Sequence, residues 1–171
     1  MRTLAGSGAV ATLSALSELR RSEWRRAGST MRFRRVPPPA GPPPLRILLV
    51  SDLHYTLPQF DWVVQAAPGF DLVVLAGDSL DISSAVPLEA QAVVVLRYLA
   101  LMQAAGRVVV SSGNHDLTGP DAQGEQAALW LEEARAAGIP TDGASLQLGD
   151  TLVTLCPWWD GPAGRAALQS Q

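Results

Sequence analysis

The sequence predicts an α/β protein built around a parallel sheet. Three observations carry this expectation. Short, nearly continuous apolar runs occur at residues 45–51, 71–76 and 107–112, the pattern of strands covered on both faces. Segments of helical character lie between them, at residues 60–67 and 87–105. Each run ends in a cluster of Asp, Asn, His, Ser and Gly, and open α/β sheets bind ligands beyond the carboxyl ends of their strands.

The elements follow in order. Leu45-Arg46-Ile47-Leu48-Leu49-Val50-Ser51 reads as the first buried strand. Phe60–Ala67 reads as a short helix stopped by Pro68-Gly69. Asp71–Ala76 is the second strand. Pro87–Ala105 is a longer helix, with Ser83 or Ser84 near its start, Pro87 in its first turn and Gly106 beyond its end. Arg107–Ser112 is the third strand, and Asp121–Ala137, followed by Gly138, is expected to be a third helix. Gln147–Leu152 reads as a hairpin, because Gly149-Asp150 suits a two-residue primed turn. The resulting order is βαβαβα and then a β-hairpin, with no internal repeat.

The 171 residues correspond to about one domain, and 47% apolar against 17% charged residues can form a core. No run of eighteen apolar residues is free of a charge or a breaker, so no membrane-spanning helix is expected. A single cysteine, Cys156, excludes a disulfide framework and any zinc site made of several thiolates, and Cys156 is expected to be a small core residue. With only His54 and His115 as histidines, a metal site must rely on carboxylates and amides. All thirteen basic residues are arginine, which reads as a bias of the coding genome. No Gly-x-Ser-x-Gly elbow and no glycine-rich nucleotide loop occurs, which disfavours a serine hydrolase and the common nucleotide-binding folds.

Charge divides the chain. Residues 1–46 carry nine arginines against Glu18 and Glu23, a balance of +7, whereas the remainder has a balance of −10. The run Val36-Pro37-Pro38-Pro39-Ala40-Gly41-Pro42-Pro43-Pro44 cannot form helix or sheet and suits a stiff linker. Residues 1–44 are therefore expected to be a disordered Arg/Pro-rich extension, with a transient helix at most over Ala11–Arg26, and residues 45–171 the folded domain. A nucleic-acid-binding arm lacks aromatic platforms, and the acidic body argues against nucleic acid. A targeting segment at Leu4–Leu16 lacks a strong apolar core and a clear cleavage site. The plain reading is a disordered or wrongly assigned start, with Met31 as an alternative initiator, and a cytoplasmic location is expected.

The strand-end clusters are Ser51-Asp52-Leu53-His54, Ala76-Gly77-Asp78-Ser79-Leu80-Asp81 and Ser112-Gly113-Asn114-His115-Asp116. Gly77 and Gly113 allow tight turns and close backbone approach. Asp52 and His54 can converge on one cation, Asp78 has two oxygens with which to bridge two cations, and Asn114 can offer an amide oxygen to the second. This mixed ligation suits Mn²⁺, Fe or Zn²⁺ better than Ca²⁺. Two such cations would clamp a phosphoryl group and deliver an activated hydroxide in line. His115 would then act as general acid or charge stabiliser, with Asp116 fixing its tautomer.

Asp52-x-His54, Gly77-Asp78-x-x-Asp81 and Gly113-Asn114-His115-Asp116, in this order and spacing, resemble the first three motifs of the calcineurin-like metallophosphoesterases. The resemblance covers about residues 45–160 and implies the N-terminal part of a four-layer αββα sandwich, its first sheet mostly parallel and flanked by helices. It implies metal-dependent hydrolysis of phosphomonoesters or phosphodiesters of small size. It implies two divalent metal ions, taken here as Mn²⁺, with Asp52 and His54 on the first, Asp78 bridging and Asn114 on the second. It further implies that His115, paired with Asp116, acts on the phosphate or leaving group, and that Asp81 supports the site. Cys156–Pro162 is similar to a segment of some bacterial members.

The family's later ligands, a lone histidine and a Gly-His-x-His motif, have no counterpart here. The resemblance thus leads to the expectation of a truncated chain, with an under-liganded second metal. Part of the sheet, with Trp158 and Trp159, would be exposed, and solubility marginal. The rival reading is a catalytically incomplete metal-binding fragment without turnover.

Overall fold

Ile47–Val50 (β1), Leu72–Ala76 (β2) and Val108–Ser111 (β3) form a parallel sheet in the order β1-β2-β3. A computed structural model describes residues 44–159 and 161–170. The Arg/Pro-rich extension read at residues 1–44, apart from Pro44, lies outside the described residues, as do Asp160 and the helix considered at Ala11–Arg26. The strands are joined by two helices, Leu57–Ala66 (α1) and Leu88–Ala105 (α2). Thus the expected mixed α/β architecture, a parallel sheet with flanking helices, is present.

Alternation along the strands separates two cores. Leu48, Val50, Val73, Leu75, Val108 and Val110 face the helices and pack with Phe60, Val63, Val95, Leu99 and Met102. On the opposite face Leu72, Val74 and Val109 pack with Leu148 and Leu155 of the C-terminal hairpin. Leu49 is register partner to Val74 but remains 54% exposed, because the hairpin covers only part of that face. Leu152, Trp158 and Trp159 are exposed as well. Apolar surface of this kind promotes association. The chain is expected to self-associate at high concentration, and Leu49→Thr to reduce this. Light scattering that finds the parent monodisperse at high concentration contradicts the expectation.

Helix boundaries follow local chemistry. Pro58 sits in the first turn of α1, where its missing N–H costs nothing, so the helix begins three residues before the sequence expectation. Pro68-Gly69 does not stop the chain at once but closes a single 3₁₀ turn, Ala67–Gly69. At the start of α2, Ser83 and Ser84 do not cap the helix, whose N-cap is Pro87 without a side-chain bond. Buried Gln91 organises this entry instead: its Oε1 accepts from Asp81 N (2.8 Å) and its Nε2 donates to Asp81 O and Val86 O. By length and a mean hydropathy of 1.2, α2 is long and apolar enough to cross a membrane, a feature the expectation of no spanning helix did not anticipate. Its Glu89 and Arg97 are why no unbroken apolar run is read there.

The largest departure from the sequence expectation is at Asp121–Ala137. Only Leu131–Ala136 (α3) is α-helical. Before it lies a small antiparallel ribbon of Gly119–Pro120 (β4) and Gln126–Ala127 (β5). Turn chemistry outweighs helix propensity here. Asp121 Oδ1 accepts from the Gln123 and Glu125 backbone N–H groups, and Gly124 takes φ 80°. The hairpin is as expected: Ser145–Leu148 (β6) pairs with Thr151–Thr154 (β7), and Gly149 takes the positive φ of 61° that a primed turn requires. A final helix, Pro162–Gln169 (α4), starts on the Glu125 carboxylate, which accepts from Ala163 N and Gly164 N.

Asp142 ties the segment after α3 to the end of β3, its Oδ1 accepting from Ser112 N at 2.8 Å. Burial pushes its carboxyl above the ordinary 3.8, against the lowering pull of Ser112 and Arg135. The folded chain therefore binds this proton more tightly than the unfolded chain does. Its contribution to stability is present at low pH and is lost as pH rises from the ordinary carboxylate value through the raised one. Asp142→Asn, which keeps an acceptor for Ser112 N, should lose that part of the slope in urea unfolding between pH 4 and 7. Superimposable profiles contradict the assignment.

Candidate metal centre

Register levels the three strand ends: Val50, Leu75 and Val110 lie side by side, so the polar clusters emerge at one edge. Beyond the strands the backbones stay bonded, with Asp52 N to Gly77 O at 3.2 Å, His54 N to Asp78 O at 2.9 Å and Tyr55 N to Ser79 O at 3.0 Å. These bonds hold an unusual backbone. Asp52, His54, Tyr55 and Asp78 all have φ between 43° and 57°, and they are the non-glycine residues with positive φ among those described. Each such residue costs on the order of 1 kcal/mol, and strain of this kind gathers at functional sites.

Glycines permit the close approach that the sequence suggests. Gly77 has φ 87° and lies against Gly113. A Cβ on Gly113 would run into the Asp78 carboxylate and its backbone N. Gly113→Ala is accordingly expected to displace Asp78 and weaken divalent-cation binding by more than about tenfold, the scale of lost ligand support. Calorimetric titration with Mn²⁺ checks this, and unchanged affinity contradicts it.

Asp78 Oδ1 accepts from His115 N at 2.9 Å, which leaves its other oxygen free for a cation. Asp52 Oδ1 lies 3.8 Å from His54 Nε2. Ligand atoms of Asp52, His54 and Asp78 all fall within 4.8 Å of one another. A second such group, His54, Asp81 and His115, shares His54 with the first. The imidazoles of His54 and His115 meet edge to face with centroids 4.5 Å apart.

The pairing of His115 with Asp116 is not what the geometry places there. His115 Nδ1 faces Asp81 Oδ1 at 3.8 Å and has no hydrogen-bond partner, though the atom is buried. Asp116 is fully buried, and its carboxylate is occupied by backbone: Oδ1 accepts from Ser79 N and Leu80 N at 3.0 Å, and Oδ2 from Gly113 N at 2.8 Å. Its own carbonyl accepts from Trp130 Nε1. The physical reason is the 3₁₀ turn Asn114–Asp116, in which adjacent side chains diverge by about 120° and cannot face one point. Burial pushes the Asp116 carboxyl up to about 6, against the lowering pull of the backbone N–H groups. Asp116 thus clamps the loop after β2 to the loop after β3.

The donor set suits divalent cations. Carboxylate and imidazole atoms converge from three loops, and the unpartnered His115 Nδ1 is an available ligand or donor. Three motif clusters therefore meet at one edge of a parallel sheet, in the order the sequence gives them. The profile of the calcineurin-like phosphoesterases matches residues 45–153. The chain belongs to this family. No curated protein matches it. Membership in the phosphoesterases supports a hydrolase in general, with divalent metal ions implied and candidate ligands at hand.

Other candidates occupy the phosphoesterase domain less centrally. Asn114 is exposed on the 3₁₀ turn beside His115. Cys156 is exposed rather than in the core, because the alternation after β7 turns Leu155 inward and Cys156 outward. Trp158 and Trp159 stack on one another, centroids 5.9 Å apart, and Trp158 N donates to Ser112 Oγ beside the third cluster. Sequence reasoning missed Asp81 as the residue facing His115, and missed Gln91, whose bonds to both backbone groups of Asp81 fix that loop. The signal for Gln91 is a lone polar residue on the buried stripe of α2, next to Ala92 and one turn before Val95.

Proposed function

We propose that this domain hydrolyses small phosphomonoesters or phosphodiesters with two divalent cations, Mn²⁺ foremost. The observation that supports it most is the meeting of Asp52, His54 and Asp78, from two strand-end loops, within cation-binding distance of one another. In this reading those three hold the first cation, and Asp78 with Asn114 the second. Bound cations would supply Lewis-acid charge to the phosphoryl oxygens and lower the pKa of water. His115, with Nδ1 on the Asp81 side, has Nε2 left to give a proton to the leaving oxygen. Asp81 Oδ1 stands beside His115 Nδ1 at 3.8 Å, a neighbouring carboxylate rather than a bonded partner. Asp116 acts one step away, by keeping the two loops in register.

A second reading, cation uptake without turnover, is favoured by the donor count. The second cation would keep only Asp78 and Asn114, few ligands for a first-row metal. The two separate in one experiment. Release of p-nitrophenol from p-nitrophenyl phosphate and bis(p-nitrophenyl) phosphate is measured with Mn²⁺, alongside calorimetric Mn²⁺ binding. Metal-dependent turnover is expected. Binding with no turnover of either ester transfers the assignment to the second reading.

A further inference from the structure

Trp158 and Trp159 offer a chemistry that the metal centre does not use. Their rings stack, with centroids 5.9 Å apart and planes 24° from parallel, yet the two residues stay 46% and 44% exposed. Single apolar residues scattered over a surface are ordinary, but a paired indole surface on a fixed loop is not scatter. The loop is held on both sides. Leu155 is buried against the sheet, and Trp158 N donates to Ser112 Oγ at 2.8 Å. Ser112 N in turn donates to Asp142 Oδ1. Beyond the pair, a Cβ on Gly164 would lie 3.2 Å from Trp159 Cβ, so the start of α4 packs against that residue. Gly164 N is itself held by the Glu125 carboxylate.

The pair stands next to the metal edge. Ser112, which holds Trp158, is followed directly by Gly113, where an added Cβ would run into the Asp78 carboxylate. Consecutive Cα atoms are about 3.8 Å apart. An ester with its phosphoryl group at Asp52, His54 and Asp78 therefore has the pair within reach of its organic group. A flat aromatic ring stacks on an indole with little regard to its substituents, and an ester without a ring gains nothing from it.

We propose that Trp158 and Trp159 form a stacking platform for the planar aromatic group, aryl or nucleobase, of a phosphate ester. This rests on the phosphoesterase reading of the neighbouring site and names its substrate class. The pair sets specificity and takes no part in proton or phosphoryl transfer.

The test is calorimetric titration of the full chain, without metal, with phenyl phosphate and adenosine monophosphate, beside glycerol phosphate and ribose phosphate as ringless controls. Quenching of tryptophan fluorescence reports the contact. The ringed ligands are expected to bind at least about fivefold more tightly than the controls, and Trp158→Ala and Trp159→Ala each to lose that advantage. Trp158→Phe, which restores a ring, should recover part of it. The bond to Ser112 comes from the Trp158 backbone, so the alanine variants should keep the loop, and urea unfolding verifies it. The tighter of the two ringed ligands assigns the source as aryl or nucleobase. Equal affinity for ringed and ringless ligands overturns the proposal, as does unchanged affinity in both alanine variants. Reduced self-association of those variants in light scattering, with ring affinity unchanged, also overturns it and gives the pair to a second copy of the chain. Turnover is not read, so failure of the phosphoesterase reading and failure of the platform are seen separately.

Discussion

Asp78→Ala is expected to reduce Mn²⁺-dependent phosphate-ester hydrolysis by at least about 10²-fold, since outer partners of a metal site alone account for 10–100-fold. Three roles converge on this carboxylate. It lies within 4.8 Å of ligand atoms on Asp52 and His54. Its Oδ1 accepts from His115 N at 2.9 Å and so anchors the third loop. It fills the space above Gly113 that a Cβ would occupy. Asp78→Asn separates these roles. It keeps an acceptor for His115 N and so should keep the fold, yet it removes the charge that attracts a cation. The expected result is near-parental stability with turnover lost, measured by urea unfolding and p-nitrophenol release. Full turnover in Asp78→Asn would assign the residue a structural role only.

Asp116→Ala should have the largest effect on stability. The side chain is fully buried and satisfies three backbone N–H groups, those of Ser79, Leu80 and Gly113. Each buried donor left without a partner costs about 1–3 kcal/mol. Removing a carboxyl whose pKa burial pushes up to about 6 returns part of this. A net loss on the order of 3–5 kcal/mol follows, a large share of the 5–15 kcal/mol typical of a domain. Asp116→Asn keeps one acceptor oxygen and should fall between parent and alanine variant. Urea midpoints for the three proteins give the order directly. An alanine variant as stable as the parent would show that water replaces the carboxylate and that the clamp is dispensable.

The parts of this molecule legible in the sequence are those governed by a single local rule. Short apolar runs bounded by turn residues suit buried strands, and β1, β2 and β3 fall where those runs lie, although Leu49 of β1 stays exposed. Gly149-Asp150 dictates its own turn. Failures occurred where two local rules compete. Across Asp121–Ala137 helical periodicity competes with an Asp-x-x-Gly turn, and the backbone bonds to Asp121 Oδ1 win before Trp130. The site shows the same division. Strand-end position brings Asp52, His54, Asp78 and His115 together, because a level register carries all strand ends to one edge. It does not say which acid faces His115. Sequence adjacency favours Asp116, but a 3₁₀ turn directs neighbours apart, and Asp81, from the preceding loop, takes the place. The bonds of Asp116 to Ser79 and Leu80 and those of Gln91 to Asp81 span 10 to 37 residues, which no local pattern encodes.

The most direct test of the central claim is turnover of bis(p-nitrophenyl) phosphate by the chain in the presence and absence of Mn²⁺, read beside Asp78→Asn. The account predicts hydrolysis that requires the metal and disappears in the variant. Metal bound without turnover, or turnover undiminished in Asp78→Asn, would contradict it.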